Sequence, residues 1–216
     1  MVIYLDGADL VTMARFEPHV QGFTTNPSLM KKAGVTNYEV FAKEVLGRAN
    51  GKPVSFEVLA DDWETMEAQA QRISDWGDNV WVKIPITNTK GESSVDLIDR
   101  LQDLNLNITA VMTQQQIDAL LPVVRSHHII SVFAGRIADT GRTPPWIPRR
   151  APIKAKMLWA STRQTRDIDI AGELGYDIIT MTPDLVAKLP LRGKDLNQYS
   201  LETVQQFYKD AEGITL

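Results

Sequence analysis

The run Asn79-Val80-Trp81-Val82-Lys83-Ile84-Pro85 is apolar apart from its first residue and one lysine, and a proline closes it. Its aromatic and β-branched content and its length read as a short buried strand. Side chains alternate along a strand, so Lys83 shares a face with Trp81 while Val82 and Ile84 take the other. Both faces are largely apolar, which is the pattern of a strand covered on two sides. A lysine held there has lost hydration, and desolvation favours its neutral amine. A neutral amine in a dry pocket is the nucleophile that forms a Schiff base with a carbonyl substrate. The competing reading is a lysine that snorkels from the strand end to water. The strand by itself leaves both open.

Outward from this strand the pattern repeats. Val2 to Asp6, Gly22 to Asn26 and Pro53 to Val58 read as strands before it, and Asn107 to Met112, Ile129 to Ala134, Lys156 to Ser161 and Asp177 to Met181 as strands after it. Helical periodicity falls between them, at Val11 to Phe16, Ser28 to Lys32, Tyr38 to Arg48, Trp63 to Trp76 and Ser93 to Leu104. It returns from a Thr113 N-cap through Leu121, at Thr165 to Leu174 and at Asp184 to Leu189, and an amphipathic helix from Ser200 to Glu212 follows. Eight strands alternating with helices, without a linker, predict parallel strands joined by crossovers and closed into a (β/α)8 TIM-type barrel. One domain over residues 1–216 is expected. Ala138 to Ala155 breaks the rhythm, because the prolines of Arg142-Thr143-Pro144-Pro145-Trp146-Ile147-Pro148-Arg149-Arg150 forbid an ordinary helix interior. It reads as a basic, irregular loop.

The bulk numbers narrow the function classes. A 216-residue chain with 44% hydrophobic and 23% charged residues has a globular composition. A net charge of -4 argues against nucleic-acid or polybasic membrane partners. The absence of cysteine excludes disulfides, thiolate catalysis and thiolate metal sites, and is compatible with a cytoplasmic address. Met1 leads straight into the first strand with no basic n-region or cleavage pattern, so no signal peptide is expected. No run approaches the ~18 apolar residues of a membrane helix. His19, His127 and His128 lack a metal-ligand spacing, and no phosphate-binding Gly-rich signature is present.

In a barrel, chemistry belongs at the carboxyl ends of the strands. There the sequence is polar: Asp6, Thr24 with Asn26, Ser55 with Glu57, Lys83, Asn107 with Thr109, Ser131, and Ser161 with Arg163. Members of each pair are two residues apart and face the same way in an extended chain. Each has an ordinary reading as well. Asp6 can cap a helix, Asn26-Pro27 is a frequent turn pair, Glu57 can partner a lysine, and Thr109 is a good strand residue. Buried polar groups without partners cost ~1–3 kcal/mol each, so a whole layer of them argues for a site.

These residues carry a resemblance to the transaldolase family, including its short members and the related fructose-6-phosphate aldolases. It rests on Leu5-Asp6, Phe23-Thr24-Thr25-Asn26-Pro27-Ser28-Leu29, Trp81-Val82-Lys83-Ile84-Pro85, Asn107-Ile108-Thr109, Ser131-Val132-Phe133-Ala134-Gly135-Arg136-Ile137 and Ala160-Ser161-Thr162-Arg163. The resemblance implies the barrel and a class I aldol mechanism without metal or other cofactor. Lys83 resembles the Schiff-base lysine, Glu57 and Thr109 the pair that positions a catalytic water, and Asp6 the acid/base at the C4 hydroxyl. Asn26, helped by Asn107 and Ser131, would hold the dihydroxyacetone unit, with Thr24 and Ser55 among the substrate-binding residues. Arg136, Ser161 and Arg163 match the family's phosphate site. Phe133 and Glu57 match the transferring branch, where the aldolases resemble a tyrosine and a glutamine.

The implied activity moves dihydroxyacetone from a ketose phosphate, such as fructose 6-phosphate or sedoheptulose 7-phosphate, to an aldose phosphate. The alternatives are an aldolase releasing dihydroxyacetone, a transaldolase for sulfonated sugars, and a non-catalytic sugar-phosphate-binding barrel. The segment after Asp139 departs from the family pattern and is expected near the acceptor and phosphate end. The helix Ser200 to Glu212 resembles a segment used in oligomer packing, which implies a homo-oligomer; its amphipathicity equally suits packing on its own barrel.

Overall fold

The computed structural model describes residues 1–147 and 153–215. Eight parallel strands close into a barrel in chain order, each pairing with the next and the eighth with the first. The first half runs β1 (Val2–Asp6), α1 (Leu10–Phe16), β2 (Gly22–Thr24), α2 (Pro27–Lys32), α3 (Tyr38–Arg48), β3 (Val54–Glu57), α4 (Trp63–Ser74) and β4 (Val80–Pro85). The second runs α5 (Val95–Arg100), β5 (Leu106–Val111), α6 (Gln114–Leu120), β6 (Ile129–Val132), α7 (Ala134–Asp139), β7 (Lys156–Trp159), α8 (Asp167–Glu173) and β8 (Ile178–Met181). Two helices follow, α9 (Pro183–Val186) and α10 (Leu196–Asp210).

The alternation of each strand divides its side chains between two cores. Leu5, Phe23, Phe56, Val82, Ile84, Ile108, Ile130 and Ile179 belong to the large core between sheet and helices. Complete burial of a side chain such as Phe56 contributes about 1.5–3 kcal/mol. Tyr4, Ile129, Leu158, Ala160 and Ile178, with Trp81 and Phe133 against them, form a separate apolar cluster inside the barrel. Trp81 donates its Nε1 proton to the His127 carbonyl at 3.0 Å, which ties it to the N-terminal end of the neighbouring strands. Gly22 completes this floor, since a Cβ there would lie 2.5 Å from the Tyr4 ring. Above the floor the inward positions turn polar.

Helix starts follow the cap residues. Asp9, Asn26, Asn37, Asp62 and Asp195 accept from the backbone three residues on, and Thr113 forms a full capping box with Gln116. The Asp195 cap starts α10 earlier than the periodicity predicts. Strand ends differ as well: Ala134 belongs to α7, a short helix that reaches only the first two residues of the stretch expected to be irregular, Ala138 and Asp139, and stops ahead of Gly141 at φ 77°.

The described part of the Pro-rich segment departs from its expected location. Helix α7 starts at the carboxyl ends of the strands, and the residues that follow it bring the chain to their amino ends. There Ile147 donates its N–H to the Leu174 carbonyl at 2.7 Å, and Pro145 accepts from the Tyr176 hydroxyl at 3.1 Å. Residues 145–147 therefore lie at the turn before β8, on the face opposite the polar strand ends. The rest of the predicted loop, 148–150, falls outside the described residues.

Candidate active site

The register of the sheet sets the polar residues side by side. Asp6 pairs with Thr24, Thr24 with Ser55, Glu57 with Lys83, and Lys83 with Asn107. All face inward, because the intervening residues belong to the outer core.

Lys83 is 5% exposed, yet its ammonium has two partners. Its Nζ stands 2.9 Å from Glu57 Oε2 and donates to the Thr25 carbonyl at 2.7 Å. The snorkelling alternative is excluded by this burial. Glu57 is itself pinned through its backbone, because the Tyr38 hydroxyl accepts from Glu57 N at 2.7 Å and donates to Glu57 O at 3.0 Å. An edge-on cluster of Tyr38, Phe56 and Trp76 holds that tyrosine from behind.

Across the barrel, Asp6 Oδ1 accepts from the Thr24 hydroxyl at 2.9 Å. Burial pushes the Asp6 carboxyl above the ordinary aspartate value, and the Lys83 charge and the Thr24 hydrogen bond oppose it only in part. The Thr109 hydroxyl is buried and has no hydrogen-bond partner among the described residues. An orphan of this kind costs about 1–3 kcal/mol and marks a place for a polar ligand atom.

Asp6, Thr24, Asn26, Glu57, Lys83, Thr109, Ser131, Phe133, Arg136 and Ser161 line one cavity of about 510 Å³. Ten of the sequence-predicted residues thus come together. Asn26 serves twice, since its Oδ1 caps α2 through Leu29 N at 3.0 Å. Arg136 places its guanidinium over the Phe133 ring at 5.1 Å from the centroid.

Three predicted residues stand elsewhere. Ser55 and Asn107 are fully buried, with Asn107 donating to Ser55 Oγ at 3.0 Å and accepting from Ser131 Oγ at 2.6 Å. They support the wall rather than line the cavity. Arg163 does not reach it either. Its guanidinium grips Asp139 through two bonds, 3.1 Å and 2.6 Å, because the end of α7 presents that carboxylate beside it. The same pairing lowers the pKa of Asp139.

The sequence reading missed Thr25, Thr180 and Ala110. The Thr25 contact is made by a main-chain carbonyl, which leaves no side-chain signature. Thr180 lines the cavity from β8, 2.6 Å from the Thr24 hydroxyl; its inward position in the last strand was the available signal. Ala110 and Ser161 line the same cavity in the left-handed region, at φ 60° and 63°. Ala110 sits where the β5–β6 register shifts. Such backbone costs of order 1–3 kcal/mol per residue and collects at functional sites. Among the described residues no group of three or more His, Cys, Asp or Glu side chains is gathered as a metal would require.

The family profile described as Transaldolase/Fructose-6-phosphate aldolase matches residues 3–215. The chain belongs to this family. A probable transaldolase of Methanococcus maripaludis (strain C7) is 32% identical over 198 residues, covering 88% of this chain and 89% of the relative. A probable transaldolase of Streptococcus equi subsp. equi is 33% identical over 177 residues, covering 79% and 80%. The 3-hexulose-6-phosphate synthase structure from Salmonella typhimurium superposes with a TM-score of 0.60 at 15% identity, over 84% of this chain and 89% of that one. That likeness shows the barrel alone. Within the family frame, the cavity holding Lys83 is the candidate active site, and sugar phosphates are the substrate class the family implies. No helix among the described residues is long and apolar enough to cross a membrane.

Proposed function

We propose that this protein is a transaldolase that carries a dihydroxyacetone unit on Lys83, from a ketose phosphate of the fructose 6-phosphate or sedoheptulose 7-phosphate type to an aldose phosphate. The observation that carries the reading is the buried Lys83 amine between Glu57 and the Thr25 carbonyl, facing a cavity with Asp6 on its wall. Loss of the Lys83 proton to Glu57, directly or through a water, frees the amine to attack the C2 carbonyl of the donor. The resulting carbinolamine loses its hydroxyl as water, with the required proton supplied by Glu57 and the water ordered by the unpartnered Thr109 hydroxyl. An iminium on Lys83 remains.

Asp6 then takes the C4 hydroxyl proton. C4 becomes an aldehyde carbonyl, the C3–C4 pair moves into the iminium, and the aldose leaves an enamine on Lys83. Attack of the enamine C3 on the acceptor aldehyde, with the proton returned from Asp6, rebuilds an iminium that water hydrolyses. Arg136, free of ion pairs among the described residues and stacked on Phe133, is the cation offered to the sugar's phosphate. Phe133 and Glu57 favour transfer over release of free dihydroxyacetone.

Borohydride trapping with fructose 6-phosphate, read by intact mass and peptide mapping, tests this beside Lys83→Met. A reduced three-carbon adduct on Lys83, discharged when erythrose 4-phosphate is added before reduction, is the expected result. A folded protein giving no adduct with any ketose phosphate tried would sink it.

The reading extends to a homo-oligomer. Helix α10 buries none of its residues, and Leu196, Leu201, Val204, Phe207 and Tyr208 are each more than half exposed. A helix with such a face unpartnered among the described residues is suited to a second copy.

A further inference from the structure

We infer that Thr180 is a positioning residue for Asp6: its hydroxyl fixes the proton polarity of a Thr180–Thr24–Asp6 chain and so reserves one carboxylate oxygen for the substrate's proton. This rests on the reading of Asp6 as the base of donor cleavage. The two threonine hydroxyls lie 2.6 Å apart, a distance at which either could donate. The next link removes that freedom. Thr24 gives its single proton to Asp6 Oδ1 at 2.9 Å, and an ionised carboxylate only accepts. Thr180 must therefore donate to Thr24.

Both hydroxyls belong to buried residues, Thr24 3% and Thr180 4% exposed. The end of β8 is held as well, because the Thr162 hydroxyl donates to the Thr180 carbonyl at 2.6 Å. A hydroxyl that accepts a hydrogen bond donates a stronger one. Thr180 thus strengthens the Thr24 bond to Asp6 and favours the ionised carboxylate against the cost of burial.

The polarity also distinguishes the two oxygens of Asp6. A proton arriving on Oδ1 would turn the Thr24 proton back toward Thr180, whose own proton has no other acceptor among the described residues. Oδ2 carries no such penalty, and it is the oxygen left to take the C4 hydroxyl proton. The ionisable groups facing Asp6 are Lys83 from β4 and Glu57 from β3, and the neutral amide of Asn26 also favours the charged form. Asp6 also borders a second cavity with Asp9, Lys32 and Asp184 on its walls.

The test compares wild type, Thr180→Val and Thr180→Ser in the full chain. Asp6 is titrated by its carboxyl ¹³C shift, and donor cleavage is followed in single turnover as release of glyceraldehyde 3-phosphate across pH. In Thr180→Val, loss of the hydrogen-bond chain is expected to raise the Asp6 pKa and the acid limb of cleavage together by roughly half to one unit. On that acid limb cleavage should slow about three- to tenfold, the size of half to one lost pKa unit, with KM and the yield of borohydride-trapped adduct unchanged. Thr180→Ser should restore both. An Asp6 titration that stays at its wild-type position in Thr180→Val would overturn the proposal, as would slow cleavage that serine does not rescue. A shifted titration with unchanged cleavage would overturn the catalytic part of it. Absence of any Lys83 adduct in the wild type is a separate failure, that of the Schiff-base reading, because the carboxyl titration reports the chain without turnover.

Discussion

Gly135 lies so close to the Ser161 carbonyl that a Cβ on it would fall 1.6 Å from the oxygen. The first turn of α7 therefore rests directly on the loop after β7, and that contact brings Arg136 and Ser161 to one cavity. Ser161 holds a left-handed backbone there, at φ 63°. Gly135→Ala forces backbone against backbone, which no rotamer change relieves. The expected outcome is a loss of roughly 1–3 kcal/mol in unfolding free energy, typical of overpacking, and a raised KM for phosphorylated donors. Denaturant unfolding and steady-state kinetics check the two effects.

Glu57→Gln separates the acid/base role from the shape of the site. Glutamine keeps the volume and leaves Lys83 without its carboxylate at 2.9 Å. Removal of one partner from a buried ion pair destabilises by about 3–5 kcal/mol when burial is complete; the Glu57 side chain is 16% exposed, so the lower part of that range is expected. Carbinolamine dehydration should slow ~100-fold or more, as for loss of a positioned acid/base. Stopped-flow mixing with a ketose phosphate and quench into borohydride would report slower adduct formation, and an unchanged rate would assign the proton transfers elsewhere.

Much of this arrangement was legible from the chain. Alternation around Trp81 and Lys83 set the covered strand, and polar residues two apart at strand ends placed Asp6, Thr24, Glu57 and Thr109 on one inward wall. Illegible parts have physical causes. Main-chain partners such as the Thr25 carbonyl carry no side-chain code. Arg163 has a sequence context suited to a phosphate site, but Asp139 is a nearer anion, and only the packing of α7 reveals it. Asn107 and Ser55 satisfy each other because both reach the same depth of the barrel. The path of the described part of the Pro-rich segment depends on a short α7, whose six residues Ala-Gly-Arg-Ile-Ala-Asp give little helical signal.

Helix α10 offers a test free of catalysis. Phe207 and Val204 are 67% and 60% exposed on a helix that buries nothing of its own. Phe207→Glu should shift the mass seen by light scattering toward the single chain and leave the barrel's circular dichroism intact. A wild-type protein already monomeric at high concentration would refute the homo-oligomer.

His128 makes the barrel acid-sensitive at a point remote from Asp6. It is fully buried, accepts from Arg125 N through Nδ1 at 3.1 Å, and meets the Gln102 carbonyl through Nε2 at 3.0 Å. That network assigns the proton to Nε2 and leaves no room for a second at Nδ1. Burial first, and the neighbouring His127 second, push its pKa down to about 4. The unfolded chain takes the proton near pH 6.5, before the folded one does, so stability is full above that value and falls as pH drops toward 4. The loss expected across this window is roughly 2–3 kcal/mol. Urea midpoints measured from pH 7 to pH 4 should show it, and His128→Gln should flatten the slope.

Asp6 runs the opposite way, and that makes it the sharpest test of the site. Its carboxyl pKa is raised, so the folded protein binds the proton more tightly than the unfolded chain. Stability from this group is present at low pH and is lost as pH rises from the ordinary aspartate value through the raised one. Once ionised, the carboxylate is a standing cost, set by burial and by Glu57, that the Lys83 charge and the Thr24 bond only partly offset. Asp6→Asn removes the charge and keeps the shape. It should raise the unfolding midpoint at pH 7 while lowering donor cleavage by about 100-fold or more. Adduct formation on Lys83 should survive, because the first steps use Glu57. A variant that is both less stable and unable to form the adduct would mean that Asp6 holds Lys83 in place rather than serving the C4 proton.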